Sequence, residues 1–181
     1  DNIDIVLSEL VFAKRYNLKI RIPENKNKLT VIRLGTTGSI NNEHQLNDIV
    51  YSKYAIAMDG LLQFYEHQLP EINFQDLSFP VTAPNPRLEE RFKNFKPSLT
   101  LTASGFYGPQ FRNAVVRPKY AYEQIKDLNY GGLKLGNIEM ETAGIYGLSK
   151  LYDIDAISLS VVLANREAGS FSKSPDAAIV H

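Results

Sequence analysis

The run Phe106-Tyr107-Gly108-Pro109-Gln110-Phe111-Arg112 sets an aromatic ring, a tight turn, an amide and a guanidinium within seven residues. Those groups suit a flat heterocycle whose edge carries carbonyls and an N–H. A Gln amide accepts from the ring N–H and donates to the neighbouring carbonyl, whereas Arg only donates. An aromatic side chain stacks on the ring face. The plain alternative is a surface turn followed by an exposed Gln and Arg.

A second segment, Val31-Ile32-Arg33-Leu34-Gly35-Thr36-Thr37-Gly38-Ser39, reads as a short apolar strand entering a Gly/Thr turn. Glycines let backbone N–H groups approach an anion closely, and Thr hydroxyls add donors. Arg33 lies inside the apolar run, where a charge is costly unless paired. Its partner is either a bound oxyanion or a carboxylate of the protein. A third segment, Asn137-Ile138-Glu139-Met140-Glu141-Thr142-Ala143-Gly144, puts two carboxylates around a Met where a strand enters a helix. One reading is capping of the helix N-terminus. The other is a carboxylate gripping sugar hydroxyls, with Met140 against the sugar's apolar face.

Taken in this order, the three segments resemble the nucleoside phosphorylase family, and within it the uridine phosphorylase branch. The matching stretches are Arg33 to Gly38, Phe106 to Arg112 and Glu139 to Glu141, with Asn165-Arg166 closing a late strand. The resemblance runs over nearly the whole chain. It implies phosphorolysis of uridine to uracil and ribose 1-phosphate, with inorganic phosphate as co-substrate and no other cofactor or metal. It assigns Arg33, Gly35 and Thr36 to phosphate, and Phe106, Gln110, Arg112 and Arg166 to the base. Thr36, Met140 and Glu141 fall to the ribose, and Arg33, Gln110 and Arg112 to catalysis. Donors at the uracil carbonyls gain strength as negative charge develops on the leaving base, an effect worth ~3 kcal/mol per donor. Orientation of phosphate beneath the anomeric carbon supplies the proximity contribution.

Two departures bear on base selectivity. The loop before Phe106 is shorter than in bacterial uridine enzymes of the family, and it reads Gly-Pro where those read Pro-Gly. The late strand ends Leu163-Ala164-Asn165-Arg166-Glu167, without the Asp that purine-cleaving relatives place there to protonate N7. Arg166 is otherwise a surface arginine at a strand end, and Gly169 to Ser174 either a lid over the base or a solvated loop. The resemblance also implies earlier strands and a glycine-rich anion loop before Asp1, and a helix after His181. A His and an Arg from a neighbouring subunit imply a homo-oligomer, either a dimer or a hexamer built as a trimer of dimers. A purine nucleoside phosphorylase or nucleosidase of the same fold and a non-catalytic nucleoside-binding fragment remain as alternatives.

Composition limits the classes open to the chain. Its 181 residues suit one domain, 1–181, with a sizeable core. Lys and Arg number 20 against 20 Asp and Glu, so no basic excess points to nucleic acid or an anionic membrane. There is no Cys, which excludes disulfides and thiolate chemistry, and the three His lack metal-ligand spacing. No apolar run is long enough to span a bilayer, and a cytoplasmic protein is the expectation.

Alternating strands and helices predict an α/β fold, a three-layer sandwich with helices on both sides of a central mixed sheet. Asp1 or Asn2 caps a first helix bearing Ile3, Val6, Leu7, Leu10 and Val11 on one face. Arg21 to Lys28 reads as a loop or hairpin tip. Strands are expected over 29–34, 51–58, 98–103, 137–140 and 156–164, the last buried on both faces. Helices are expected from Asp59, with Asp59 as cap and Leu61 to Leu69 inward, from Asn85-Pro86, over 118–128, over 142–152 and from Asp176. Gly169 to Pro175 reads as flexible. All three motifs and Asn165 fall at strand ends, where open α/β sheets collect ligands.

Overall fold

The computed structural model describes residues 2–17, 19–20, 22–23 and 28–175. Helix α1 (Ile3–Arg15) turns Leu7 and Val11 into the core. Val6 and Leu10, 48% and 46% exposed, lie off the packed face. The apolar stripe read from the sequence is thus wider than the face α1 uses. Asn2 occupies the cap position without a side-chain bond, while Asp1 lies outside the described residues. Two short strands, β1 (Tyr16–Asn17) and β2 (Ile22–Pro23), pair antiparallel after it. Most of the expected 21–28 loop lies outside the described residues.

Strand β3 (Thr30–Ser39) corrects the reading of the Gly/Thr segment. Instead of turning after Leu34, the chain stays extended through Gly35, Thr36, Thr37 and Gly38. Its parallel ladder with β10 (Asp155–Asn165) runs the whole way, to Asn165 opposite Ser39. A continuous partner strand overrides the local turn preference of glycine, and neither Gly35 nor Gly38 takes a positive φ.

Strand β4 (Ile49–Met58) is followed by a single 3-10 turn, Leu61–Phe64, in place of the expected helix from Asp59. Gly60, at φ 83°, starts that turn. The chain then forms a hairpin of β5 (Glu71–Phe74) and β6 (Leu77–Thr82), which sequence reading did not foresee. Helix α2 (Pro86–Phe92) begins as expected. Asn85 caps it by accepting from the Arg87 N–H at 2.9 Å, and Pro86 fills the first turn. After β7 (Lys96–Ala103), the helix expected over 118–128 shrinks to α3 (Tyr122–Ile125), whose start is set by Gln124 Oε1 accepting from the Ala121 N–H at 2.7 Å. Next come β8 (Asn129–Tyr130), β9 (Leu133–Glu139), α4 (Thr142–Leu151) and β10. β11 (Ser170–Phe171) pairs back on Ala164 and Asn165, so part of the segment expected to be flexible is a short hairpin. The helix expected from Asp176 lies outside the described residues.

The sheet runs β11-β10-β3-β9-β7-β4-β6-β5, with β8 on β9. It is mixed: β10/β3, β4/β7 and β7/β9 are parallel, β3/β9 and β4/β6 antiparallel. Helices α1 and α4 pack on one face through Leu7, Tyr146 and Leu148. Leu88 of α2 packs on Ile157 and Leu159 on the other. The α/β fold with a central mixed sheet is therefore present. The open sandwich needs one correction, because β10 also pairs antiparallel with β4 and closes β10, β3, β9, β7 and β4 into a ring. Only Gly38 and Ser39 of β3 pair with β9. The rest of that β3 edge has no strand partner among the described residues, and Leu34 beside it is 79% exposed.

Candidate active site

Strands β7 and β9 run parallel and end side by side, with Thr102 opposite Glu139. There Glu139, 4% exposed, is surrounded by donors. Its Oε1 accepts from the Thr102 hydroxyl at 2.5 Å. Its Oε2 accepts from the backbone N–H of Glu141 (3.0 Å) and Thr142 (2.9 Å) and from the Thr142 hydroxyl (2.8 Å). These are the N–H groups that open α4, so Glu139 does the work of a cap from just before the helix.

β3 runs antiparallel to β9 and carries Arg33 past its end. Arg33 Nη1 donates to Ser160 Oγ at 3.0 Å and approaches Ser158 Oγ at 3.4 Å. Its Nη2 donates to Glu141 Oε2 and lies 3.4 Å from Glu139 Oε2. Only 13% of the Arg33 side chain is exposed. The carboxylate partner that burial of Arg33 demands is thus supplied twice over. Gly35 explains itself here: a Cβ added to it would sit 2.6 Å from Arg33 Nη2, inside the guanidinium. Thr36 is exposed, and strand alternation turns it to the opposite face of β3 from Arg33.

Behind this cluster the same face stays polar. Asn137 Oδ1 accepts from Ser98 (2.5 Å) and Thr100 (2.9 Å), and its Nδ2 donates to Thr37 Oγ1 at 2.7 Å. His44 Nε2 lies 3.0 Å from Ser98 Oγ, and burial lowers the His44 pKa. Tyr146 ties α4 to this face by donating to the Ser52 carbonyl at 2.9 Å.

A second cluster forms after β7. Gly108–Gln110 make a 3-10 turn, and Phe111 leaves it in the left-handed region at φ 59°. Phe111 is buried and meets Phe74 edge-on at 6.5 Å, which pins the turn to the core. Gln110 is 4% exposed. Arg112 lies over the Phe106 ring, 4.2 Å from its centroid, so one face of that ring is covered from within. From the end of β10, Arg166 Nη2 donates to the Gln110 carbonyl at 2.6 Å, and its guanidinium sits 5.4 Å from the Tyr122 ring centroid. Asn165 holds this corner by donating to the carbonyls of Asn41 (3.1 Å) and His44 (3.3 Å).

The electrostatics of this second cluster are unlike those of the first. Neither Arg112 nor Arg166 has a carboxylate partner among the described residues. Arg112 Nε and Arg166 Nη1 are buried with no hydrogen-bond partner. Burial, then the neighbouring Arg112 charge, pushes the Arg166 pKa down to about 10, and burial lowers that of Arg112 as well.

Of the residues singled out in the sequence, Arg33, Gly35 and Glu141 come together in one cluster. Phe106, Gln110, Arg112 and Arg166 come together in the other. Met140 is half-buried in the link between Glu139 and Glu141, and Thr36 stands apart from Arg33. Sequence reading passed over Ser158, Ser160, Thr102 and Tyr122. The alternation Ile157-Ser158-Leu159-Ser160 was the available signal, two hydroxyls on one face of an otherwise apolar strand. Asp59 was read as a helix cap. Instead it follows β4, beside a cavity of about 310 Å³ lined by Ile3, Gly60, Leu61, Phe64 and Ser104. Its Oδ1 is buried without a partner, and burial raises its pKa to about 6, with Glu139 adding to the effect. A cavity of about 390 Å³, lined by Tyr54, Tyr130, Ser149 and Ile154, lies toward the other end of α4 and contains none of these residues.

Residues 9–177 match the phosphorylase superfamily. The chain is similar to a uridine phosphorylase of Thermococcus kodakarensis, 27% identical over 148 residues that cover 80% of this chain and 52% of that protein. It is also similar to a DeoD-type purine nucleoside phosphorylase of Buchnera aphidicola, 25% identical over 162 residues, or 86% of this chain and 61% of that protein. Among solved structures, a Trypanosoma brucei nucleoside phosphorylase with uridine phosphorylase activity aligns with a TM-score of 0.83 at 22% identity, covering 99% of this chain and 73% of that one. A uridine phosphorylase of Phytophthora capsici aligns with a TM-score of 0.60 at 19% identity, covering 95% and 67%. At such identities the structural likeness establishes the fold. The chain spans about half the length of the Thermococcus protein. Matched over almost all of its residues, with its buried Arg33 and its Glu139 and Glu141 pair at the strand ends, the chain belongs to the phosphorylase superfamily.

Proposed function

We propose that the protein cleaves a pyrimidine nucleoside by phosphorolysis, converting uridine and inorganic phosphate to uracil and ribose 1-phosphate. One observation carries this reading: Arg112 and Arg166 present buried, unpartnered N–H groups, without a carboxylate partner, next to Gln110 and the Phe106 ring. Such donors match a base whose edge is rich in carbonyl oxygens. They repel a base that presents an exocyclic amine there.

In the reaction the N1–C1′ bond breaks with its electron pair leaving on uracil, and a phosphate oxygen forms the new bond to C1′. Charge on the departing base spreads to its carbonyl oxygens, where Arg112, Arg166 and the Gln110 amide stabilise it. The uracil anion then takes a proton from solvent. Glu141 accepts from the ribose hydroxyls, Met140 lines the sugar, and the uncovered side of Phe106 packs on the substrate. Phosphate is held by Arg33, which shares its guanidinium with Glu141, beside Gly35 of β3. The purine-type relative at comparable identity supports a purine reading. Against it stands Asn165-Arg166-Glu167 at the end of β10, where an N7-protonating Asp is missing.

The decisive measurement is a substrate panel with and without phosphate. Uridine should be cleaved faster than adenosine or inosine, with ribose 1-phosphate as the sugar product. Preference for a purine nucleoside sinks the pyrimidine assignment, and release of free ribose points to a hydrolase. A homo-oligomer is proposed as the working form, and a fully active monomer at micromolar concentration by sedimentation would contradict it.

A further inference from the structure

We infer that Glu139 is a positioning residue of the active site, acting through Arg33 and Glu141 to hold the sugar-binding carboxylate in place before substrate arrives. The inference rests on the phosphorolysis reading for its kinetic half only.

The geometry separates the roles of the two glutamates. Glu141 stands at the cap position of α4, yet its side chain makes no capping bond. Its carboxylate is a third exposed and turned to Arg33. Glu139 is buried, and all four of its closest hydrogen-bond donors belong to the site's frame: the Thr102 hydroxyl, the Glu141 N–H, the Thr142 N–H and the Thr142 hydroxyl. It therefore fixes Glu141 from the backbone side. The Arg33 guanidinium, 3.4 Å from Glu139 Oε2, fixes Glu141 from the side-chain side. Ser158 links the two halves, since it lies 2.9 Å from Thr142 Oγ1 and 3.4 Å from Arg33 Nη1. A substrate hydroxyl has no comparable route to Glu139, which is enclosed by these partners. Preorganisation of this kind removes the cost of ordering a flexible carboxylate at the moment of binding.

Glu139→Gln isolates the effect. The Gln amide oxygen can replace Oε2 and keep its three donors, while the amide nitrogen donates to Thr102 Oγ1. What is lost is the charge that draws Arg33. A crystal structure of this variant should show the Arg33 guanidinium withdrawn from Ser160 and the Glu141 carboxylate turned from its place. Unchanged positions for both overturn the inference, whatever the enzyme's substrate. The kinetic arm compares uridine with 2′,3′-dideoxyuridine. Glu139→Gln should lower kcat/KM for uridine about tenfold, mostly through KM, and change that for the dideoxy substrate less than about threefold. Combining it with Glu141→Gln should add little, because both changes remove one unit of function. Equal losses on both substrates, or fully additive losses in the double variant, assign Glu139 to folding alone. Should the parent cleave no nucleoside, the phosphorolysis reading falls and the crystallographic arm still decides the positioning role.

Discussion

Around Arg33 and around Arg166 the protein handles buried positive charge in opposite ways. Arg33 has two serines on one terminal nitrogen and two glutamates on the other. Arg112 and Arg166 are half-buried neighbours, with burial lowering both pKa values and the Arg112 charge lowering that of Arg166 further, and each keeps a buried N–H without an acceptor. An unpaired buried donor carries a desolvation cost of about 1–3 kcal/mol, which a ligand with carbonyl oxygens can offset. The first cluster therefore has its charge balanced within the fold, and the second, on the proposed reading, holds donors for the nucleobase. The contrast shows that neighbouring arginines of one site need not serve the same purpose.

The contrast is most exposed to challenge at Arg33. Replacing it with Ala leaves Glu139 and Glu141 facing each other without their cation, and the expected destabilisation is about 3–5 kcal/mol. Urea unfolding measures it. A cost smaller than that of Arg112→Ala would reverse the comparison. Phosphate KM should also rise more than uridine KM in whatever fraction remains folded.

Arg112→Ala is the mirror experiment. Activity on uridine should fall about 100-fold, the scale of losing one preorganised donor, while stability shifts by less than about 1 kcal/mol. The melting temperature and kcat/KM of the same preparation test both halves together. A large loss of stability with little loss of rate would make the second cluster structural.

Asp59 extends the comparison to an anion. Its pKa is raised to about 6, so between its ordinary value near 3.8 and about 6 the folded state holds a proton that the unfolded state has released. Stability attributable to this group therefore falls as pH rises through that window and stays low above it. Asp59→Asn should stabilise the protein by about 1–2 kcal/mol at pH 7.5 and by almost nothing near pH 4. Thermal melts at the two pH values read this directly, and a gain that is equal at both leaves burial of the charge out of the explanation.

The smallest effect is expected at Leu34, on the face of β3 whose edge lacks a partner strand. Leu34→Lys should change unfolding free energy by less than about 0.5 kcal/mol yet reduce self-association of the protein, since a charge beside a bare edge opposes pairing. Light scattering at matched concentrations gives the answer.

Sequence alone determined the class of fold and picked out most of the residues that the structure gathers into the two clusters, because those are local or ordered properties. The apolar run of β10, the Asn85-Pro86 start of α2 and the order of the Arg33, Phe106 and Glu139 segments can all be read along one chain. Where local preference and long-range pairing disagreed, pairing prevailed. Gly35 to Gly38 looks like a turn until β10 lies beside it. The run after Asp59 looks helical, yet only the 3-10 turn Leu61–Phe64 forms before the chain enters the β5–β6 hairpin. Likewise, the division of labour between Glu139 and Glu141 could not be read from a motif that holds both, since it depends on which carboxylate meets the N–H groups of α4 and which meets Arg33. Nor could spacing reveal that Gly35 makes room for Arg33, or that Thr36 faces the other way. Closure of β10 onto β4, the pairing of Arg33 and the unpartnered N–H groups of Arg112 and Arg166 arise from residues far apart in sequence. Tertiary structure decided these, because burial and the choice of partner are properties of the packed chain and not of any segment within it.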